Sequence, residues 1–372
     1  MKVSILGLHL GIGGVENAIA SLANALSEIM EVTIVVNYKV IDKPIFKIND
    51  KVKIIYLTND KPNKEEFKKA IKDKKILNIL KEGIKSLKIL YQRKSLMKKY
   101  IKNSSDDVII STRIIYNDIL GKYGKGIKIA QEHRYHNNDK KYIKKLEKSL
   151  KNIDYFMPVS NYLKEFYENE FKNNKVIYGP LCLDYIPKKK SKLDTFNIVS
   201  IGRMSPEKGF LDLVEVMSYI NNKNIILNII GDGIEMPLIK KKIKELKLKN
   251  IKLHGFQDKD YIHKILEKQS LYVMTSYEES FGLVLIEANS YGIPCIAFDT
   301  ALGACEIIDD NGILIKNRDK LEMARSIEYL LENKKLLNEL GQNAIETSLK
   351  YSYENYKQFW CNFIKNVGGK ND

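Results

Sequence analysis

Cysteine and long apolar runs are scarce in this chain, and each absence excludes a class of protein. The 372 residues include four cysteines, Cys182, Cys295, Cys305 and Cys361, and no C-x-x-C pair. The spacing argues against a disulfide scaffold and a cysteine zinc site, and it fits a reducing, cytoplasmic setting. No run of roughly 18 or more apolar residues occurs, so no transmembrane helix is predicted. Residues 1–14 are predicted to form a first strand and not a cleaved leader.

Acidic residues are outnumbered, and the imbalance is local. The net charge is +16, and residues 61–102 contain 15 Lys or Arg against four Asp or Glu. Apolar residues in this segment recur at steps of three and four, which predicts an amphipathic helix with basic flanks. They are Phe67, Ala70, Ile71, Leu77, Leu80, Ile84, Leu87 and Leu90. Such a helix favours contact with an anionic membrane. The alternative is a solvated helix packed on its own domain, and nucleic acid is not expected because no aromatic residues alternate with the charges.

The pattern along the chain indicates an α/β protein with two doubly wound domains facing each other across a cleft. Short apolar strands alternate with helices, and the alternation restarts near residue 196. The first set of predicted strands is 3–7, 32–36, 52–57, 108–111 and 127–131, and the second is 196–201, 225–230, 251–254, 271–274 and 293–298. We predict an N-terminal domain over 1–183, a linker over 184–195, a C-terminal domain over 196–350 and a final helix over 351–372 that packs back on the N-terminal domain.

Loops that follow the strands are where ligands bind in such sheets. Gly13 and Gly14 follow the first strand and precede a helix, an arrangement in which backbone N–H groups approach an anion. Glu16 stands where a dinucleotide fingerprint needs a small residue, so that fingerprint is excluded. After the strand ending at 201 come Arg203 and Lys208, a planar fork and a flexible point charge that suit a diphosphate.

Two carboxylates stand eight positions apart late in the chain. Glu279 precedes a predicted helix and Glu287 lies inside it, which suits a site that grips two hydroxyl-bearing parts of one ligand. Phe256 ends another strand, where a flat base can lie against backbone. Asp258 and Asp260 form a D-x-D sequence, which we interpret as solvated because no third metal ligand is evident.

Taken together, these motifs resemble the retaining glycosyltransferases of family 4. The matching segments are G-G-x-E at 13–16, G-R-x-x-x-E-K-G at 202–209, G-D-G at 231–233, H-G-F at 254–256 and E-x(7)-E at 279–287. The resemblance implies the GT-B fold, with two Rossmann-like domains, a nucleotide-sugar donor held mainly by the C-terminal domain, and no essential metal or cofactor. A UDP-sugar is the expected donor.

The resemblance also implies roles for single residues. Arg203 and Lys208 would neutralise the donor diphosphate, Glu287 would accept hydrogen bonds from ribose, and Glu279 would contact the transferred sugar. His133, after a strand of the N-terminal domain, would lie near that sugar, with Glu132 expected to orient it. The other donor contacts implied are Gly13, Gly14, Phe256, Phe281, Gly282, Leu283 and Val284. The loop at 300–308 departs from the family, since only Gly303 and Glu306 align.

The expected activity is transfer of a hexose or N-acetylhexosamine to a lipid-linked or surface-glycan acceptor, with retention and by front-face attack. The enzyme is expected at the inner face of the cell membrane, held by residues 61–102. Two alternatives stay open. A GT-B-like sugar-nucleotide epimerase or a phosphorylase would share the fold, and a nonenzymatic membrane- or nucleic-acid-binding protein would explain the charge.

Overall fold

The computed structural model describes residues 1–368, so residues 369–372 of the predicted final helix lie outside the described part. The chain forms two compact units. The first comprises residues 1–159, 164–179 and the described residues from 356 onward, and the second comprises 160–163 and 180–355. Residues 180–183 therefore lie in the second unit, whereas the sequence placed them in the first.

The first unit is built on a six-stranded parallel sheet in the order β3-β2-β1-β4-β5-β6. The strands are β1 Lys2–Gly7, β2 Glu31–Tyr38, β3 Lys53–Thr58, β4 Val108–Ser111, β5 Ile127–Glu132 and β6 Tyr155–Pro158. The central strands are buried on both faces and so read as continuous apolar runs. β6 was not predicted. It is short and ends in a proline, a residue that is found in sheets mainly on edge strands.

The helices of the first unit are α1 Gly14–Leu26, α2 Lys64–Lys72, α3 Ile76–Asn103, α4 Ile114–Tyr123 and α5 Lys140–Ser149, and α6 Asn161–Glu170 follows β6. The single basic helix predicted over 61–102 is in fact two helices. Lys74 between them has a φ of 53°, a left-handed conformation that interrupts the helical run. The predicted stripe is divided accordingly, since Ala70 of α2 is buried whereas most of the α3 positions are exposed.

The second unit repeats the plan with the parallel order β12-β11-β10-β7-β8-β9. Its strands are β7 Asn197–Ile201, β8 Ile226–Ile230, β9 Ile251–Leu253, β10 Leu271–Met274, β11 Cys295–Phe298 and β12 Gly312–Ile315. Its helices are α7 Phe210–Tyr219, α8 Met236–Glu245, α9 Lys259–Leu266, α10 Leu283–Ser290, α11 Leu302–Ile307, α12 Lys320–Glu332 and α13 Lys334–Lys350. β12 was not predicted, because it is a half-exposed edge strand that begins with glycine.

The last helix, α14 Tyr353–Gly368, packs on the first unit as predicted. Trp360 is fully buried. The Phe363 ring meets Tyr155 edge-on, with centroids 5.3 Å apart, and the Cys361 thiol lies 3.7 Å from the Ala25 carbonyl. Within residues 1–368, no helix is both long enough and apolar enough to cross a bilayer.

In each sheet the strand order reverses at one place. The reversal falls between β1 and β4 in the first unit and between β7 and β10 in the second. Loops leaving two such neighbouring strands run in opposite directions and leave a crevice at the carboxyl edge of the sheet. Ligand-binding residues are therefore expected at these two crevices.

Candidate active site

Lys208 and Glu279 meet at the crevice of the second unit. Lys208 ends the 3₁₀ turn Pro206–Lys208 after β7, and Glu279 lies in the loop after β10. The Lys208 Nζ donates to Glu279 Oε2 at 2.5 Å, and both side chains are largely shielded, with 25% and 15% of their area exposed. The structure thus joins two residues that are 71 positions apart in the chain. A paired cation and carboxylate at this point can exchange partners with the phosphate and hydroxyl groups of a ligand.

The backbone around this pair is held by close contacts at glycine. Gly209 has a φ of 65°, and a Cβ there would lie 2.1 Å from the Thr275 carbonyl oxygen. The Thr275 hydroxyl donates to the Gly209 carbonyl at 2.9 Å. Gly231, after β8, is similarly close, since its Cβ would lie 1.9 Å from the Gly202 carbonyl oxygen. These glycines let the loops after β7, β8 and β10 pack directly on one another.

Gly209→Ala is expected to destabilise the second unit more than Gly255→Ala. Both glycines have left-handed φ values, 65° and 67°, so alanine costs about 1–2 kcal/mol of backbone strain at either position. Only Gly209 faces a blocking atom, because nothing lies within 4 Å of a Cβ at Gly255. Overpacking should add about 1–3 kcal/mol at Gly209. Urea unfolding of the two variants measures the difference, and equal losses would contradict the contact.

The first turn of α10 supplies backbone donors beside Glu279. Gly282 precedes the helix with a φ of 102°, and Leu283 and Val284 begin it. The N–H groups of a first helical turn have no intrahelical acceptor and attract anions. Phe281 differs from the prediction in one respect. Its ring is buried and meets Tyr351 edge-on at 5.4 Å, so its side chain belongs to the core and only its backbone can reach a ligand.

Glu287 lies one turn into α10. Burial raises the pKa of its carboxyl, while nearby Lys259 lowers it in part. Lys259 itself is paired with Asp184. A shielded carboxylate in this state is a strong acceptor for hydroxyl groups brought by a ligand.

Arg318 is a residue that the sequence reasoning missed. It follows β12 and donates to the carbonyl oxygens of Thr275 at 2.9 Å and Ser276 at 3.0 Å. Its guanidinium lies 3.6 Å from the centre of the Tyr277 ring. It also forms an ion pair with buried Asp212 at 2.6 Å. Arg318 therefore fixes the segment that leads to Glu279, and it was overlooked because the strand before it was not predicted.

Asp212 completes this support. Burial works against its charge, but hydrogen bonds from Arg318, Lys320 and Tyr277 outweigh that effect and hold the pKa of the carboxyl below its ordinary value. The Tyr277 hydroxyl donates to Asp212 at 2.7 Å, and Lys320 lies 2.9 Å from it. The cluster thus ties α7 and the turn after β12 to the loop after β10.

Two predicted donor contacts are exposed. The Arg203 side chain is on the surface near Glu207, which Ser205 holds by a 2.5 Å hydrogen bond. Phe256 is 58% exposed after β9. Neither side chain belongs to the core, so both remain available to a ligand. Their roles stay predictions.

The crevice of the first unit contains an analogous ion pair. Arg113, after β4, donates to the buried Glu16 carboxylate at 2.6 Å, and His9 lies 3.6 Å from the same oxygen. A Cβ at Gly13 would lie 2.1 Å from Glu16, whereas Gly14 faces open space. A side chain at position 13 would displace the Glu16 carboxylate from its present place, whereas position 14 has room for one.

His133 follows β5 in the first unit. Burial, helped by Arg113, lowers the pKa of its imidazole to about 3, so the ring is neutral near pH 7. That Glu132 orients His133 stays a prediction. The Glu132 carboxylate itself is held by hydrogen bonds from the Tyr142 hydroxyl at 2.6 Å and the Arg134 N–H at 2.7 Å. A neutral imidazole can exchange hydrogen bonds with a sugar hydroxyl without adding charge.

We expect stability to fall with acidification, and His133→Gln to reduce that dependence. Burial lowers the pKa of His133, as it does those of the other four histidines, so below about pH 6.5 the unfolded chain binds protons that the folded chain does not. The free energy of unfolding should therefore decrease from pH 7 to pH 5, by about 1–2 kcal/mol for His133 alone. Urea unfolding at both pH values checks this, with His263→Gln as the comparison. An unchanged slope in His133→Gln would contradict it.

One of the two acidic residues of the D-x-D sequence, Asp258, has a structural role. Asp258 caps α9, since its carboxylate accepts from the Tyr261 N–H at 2.8 Å. In the part of the chain that the structure describes, no three His, Cys, Asp or Glu side chains are grouped to hold a metal ion. Independence from metal stays a prediction.

Comparisons with known proteins identify relatives of this chain. Residues 184–347 match the family model of glycosyl transferases group 1. Over its length the chain is 25% identical to an α-1,4-N-acetyl-D-galactosaminyltransferase of Campylobacter jejuni, covering 99% of each chain, whose name gives a diNAcBac-PP-undecaprenol-linked substrate.

Solved structures agree on the fold. Sucrose-phosphate synthase from Thermosynechococcus elongatus superposes with a TM-score of 0.80 at 17% identity, covering 99% of both chains. TarM of S. aureus, solved with UDP and α-GlcNAc-glycerol, superposes with a TM-score of 0.77 at 18% identity, covering 97% of this chain and 99% of that one. The predicted GT-B fold is confirmed.

The paired Lys208 and Glu279 lie inside the segment that the family model matches. With the two parallel sheets and the full-length relative, this defines the chain as a GT-B glycosyltransferase. The segment that matches the family model lies in the second unit.

Proposed function

We propose that this enzyme is a retaining, metal-independent glycosyltransferase of family 4. It transfers a hexose or N-acetylhexosamine from a UDP-sugar to a lipid-linked or surface-glycan acceptor during polysaccharide or glycoconjugate biosynthesis. The observation that carries the proposal is the Lys208–Glu279 ion pair at the β7/β10 crevice, with the first turn of α10 beside it. The relatives' UDP and undecaprenol-linked substrates support the choice of donor and acceptor.

The donor contacts follow from the chemistry of each group. Lys208 and Arg203 neutralise the diphosphate, and the amides of Gly282, Leu283 and Val284 bind its oxygens. The shielded carboxylate of Glu287 accepts the ribose hydroxyls.

Other contacts concern the transferred sugar and the base. Glu279 holds the sugar's hydroxyls, and Phe256 borders the base. The roles of His133, Gly13 and Gly14, which belong to the first unit, stay predictions.

The chemical step is a front-face substitution. The bond between the anomeric carbon and the departing phosphate oxygen breaks while the acceptor oxygen bonds to the same face of that carbon. The acceptor proton passes to the departing phosphate oxygen, and UDP leaves. Lys208 and the α10 amides stabilise the negative charge that develops on the diphosphate. Isolation of a covalent sugar adduct on Glu132 or another side chain would overturn this step.

Nucleotide release from a panel of UDP- and GDP-sugars tests the function. We expect acceptor-dependent release from UDP-sugars that is unaffected by EDTA, and NMR of the product should show the donor's anomeric configuration. Release from no sugar nucleotide would refute the enzyme, and an inverted product would refute retention.

The same assay separates the alternatives. An epimerase would convert the sugar nucleotide without any acceptor, and a nonenzymatic binding protein would release no nucleotide. The cytoplasmic location at the membrane's inner face is also part of the proposal, and it depends on residues 61–102.

A further inference from the structure

The first half of α3 carries an apolar surface that no other part of the described chain covers. Six of its side chains are between 58% and 82% exposed. At about 100° per residue, their positions fall within an arc of about 100° on one side of the helix. We call them the α3 apolar face: Ile76, Leu77, Leu80, Ile84, Leu87 and Tyr91.

The orientation of this face is fixed by packing on the other side of the helix. Asn63, before α2, donates to the Glu82 carboxylate at 2.7 Å and accepts from the Ser86 hydroxyl at 2.9 Å. A Cβ at Gly83 would lie 3.6 Å from the Phe67 ring. Because α2 and its cap occupy this side, rotation of α3 cannot bury the exposed face.

The second half of α3 fixes the helix to the sheet. Met97 and Ile101 are fully buried, and the Arg93 carbonyl accepts from Asn37 of β2 at 3.0 Å. The Tyr100 hydroxyl lies 2.7 Å from that of Ser4 in β1. The apolar face is therefore presented by a rigid element and not by a loose segment.

Basic side chains border the apolar face. Lys81 and Lys88 lie beside it, at about 20–40° beyond its edge on the helix. Lys74 and Lys75 precede its first residue, and the whole segment 61–102 has 15 basic and four acidic residues. Exposed leucines and isoleucines next to lysines suit the boundary between the acyl chains and the anionic headgroups of a bilayer.

We propose that the α3 apolar face inserts into the surface of a bilayer rich in anionic phospholipid, with α3 lying parallel to the membrane. The charge argues for lipid over a second copy of the chain, because self-association through this face would bring two strongly basic segments together. This inference goes beyond the transferase activity, and it limits the contact to residues 76–91 within the segment 61–102.

Vesicle flotation tests the proposal with purified full-length protein. We expect binding to phosphatidylcholine vesicles containing phosphatidylglycerol and little binding to phosphatidylcholine alone. The triple variant Leu80→Gln/Ile84→Gln/Leu87→Gln should reduce the partition coefficient at least about tenfold, and Lys81→Gln/Lys88→Gln should reduce it severalfold. The matched control is Ile234→Gln/Leu238→Gln, which removes apolar side chains 78% and 52% exposed in the second unit and should leave binding unchanged.

A second measurement reports insertion directly. The chain's single tryptophan, Trp360, is buried, so Tyr91→Trp adds a reporter whose emission should shift to shorter wavelength only with anionic vesicles.

Unchanged vesicle binding by the apolar triple variant would overturn insertion and would show that the protein is adsorbed by charge alone. A dimer in sedimentation that this variant abolishes would assign the face to a second copy. Nucleotide release with a soluble acceptor should be the same in this variant, so failure of the membrane proposal and of the transferase proposal can be told apart.

Discussion

Replacing Lys208 by alanine is expected to lower kcat/KM for sugar transfer by about 10²–10³-fold, mostly through kcat. The Lys208 ammonium is a shielded cation at the β7/β10 crevice and is paired with Glu279, and charge on the departing diphosphate grows only as the sugar bond breaks. Removing it should therefore cost more in the transition state than in donor binding. Steady-state kinetics with a UDP-sugar and a saturating acceptor separate the two constants.

Because Lys208 is paired with Glu279, the kinetics of Glu279→Ala and of the double variant can also be predicted. Glu279→Ala should also suppress transfer, and the double variant should be about as slow as the slower single variant, because the two side chains act as one unit. If the loss of kcat/KM in the double variant equals the product of the two single losses, the two side chains act independently and their ion pair has no role in transfer. Near-normal turnover by either single variant would refute the site.

A matched lysine controls for the loss of an ion pair. Lys242 pairs with Glu215, is 23% exposed, and lies in the same unit on α8. Lys242→Ala should change thermal stability as much as Lys208→Ala does, while leaving kcat within about twofold, since a pair of this kind contributes about 1 kcal/mol or less. Equal kinetic losses in both variants would point to a general loss of folding.

The fold was predictable because its signals are local. Each central strand is a short apolar run followed by a helix, as at 108–111 and 271–274, and these runs match β4 and β10. The two edge strands β6 and β12 were missed. They contain Pro158 and Gly312, which the sequence reading treats as signs of a turn.

The site was predictable only where a motif names its residues. Glu279 and Lys208 were found through their spacing and the family resemblance, but their direct contact depends on which strands are neighbours in the sheet. Arg318 belongs to no motif, and Asp212 looks like an ordinary helix residue in the sequence. The break at Lys74 was missed for a related reason. A lysine with positive φ is uncommon, and the continuous basic pattern gave no sign of it.

Replacing Arg318 by alanine is expected to destabilise the second unit by about 3 kcal/mol. Asp212 is buried, and the Arg318 guanidinium is its closest cation at 2.6 Å. The substitution removes that charge together with the hydrogen bonds to the carbonyls of Thr275 and Ser276. Urea unfolding measures the loss. A change below about 1 kcal/mol would show that Lys320 alone satisfies the carboxylate.

Arg318→Lys distinguishes positioning from bulk stability. Lysine keeps a positive charge near Asp212 but cannot reproduce the fork of donors or the stacking on Tyr277, 3.6 Å away. Because the segment before Glu279 would then be less well held, kcat should fall about tenfold and the rise in melting temperature on adding UDP should shrink. The control is Lys320→Ala, which also removes a cation from Asp212 but leaves the Arg318 contacts to residues 275–277 in place. It should lose stability while keeping kcat. A parallel fall of kcat in both variants would make Arg318 a structural residue only, whereas a fall confined to the arginine variants would make it the residue that positions Glu279.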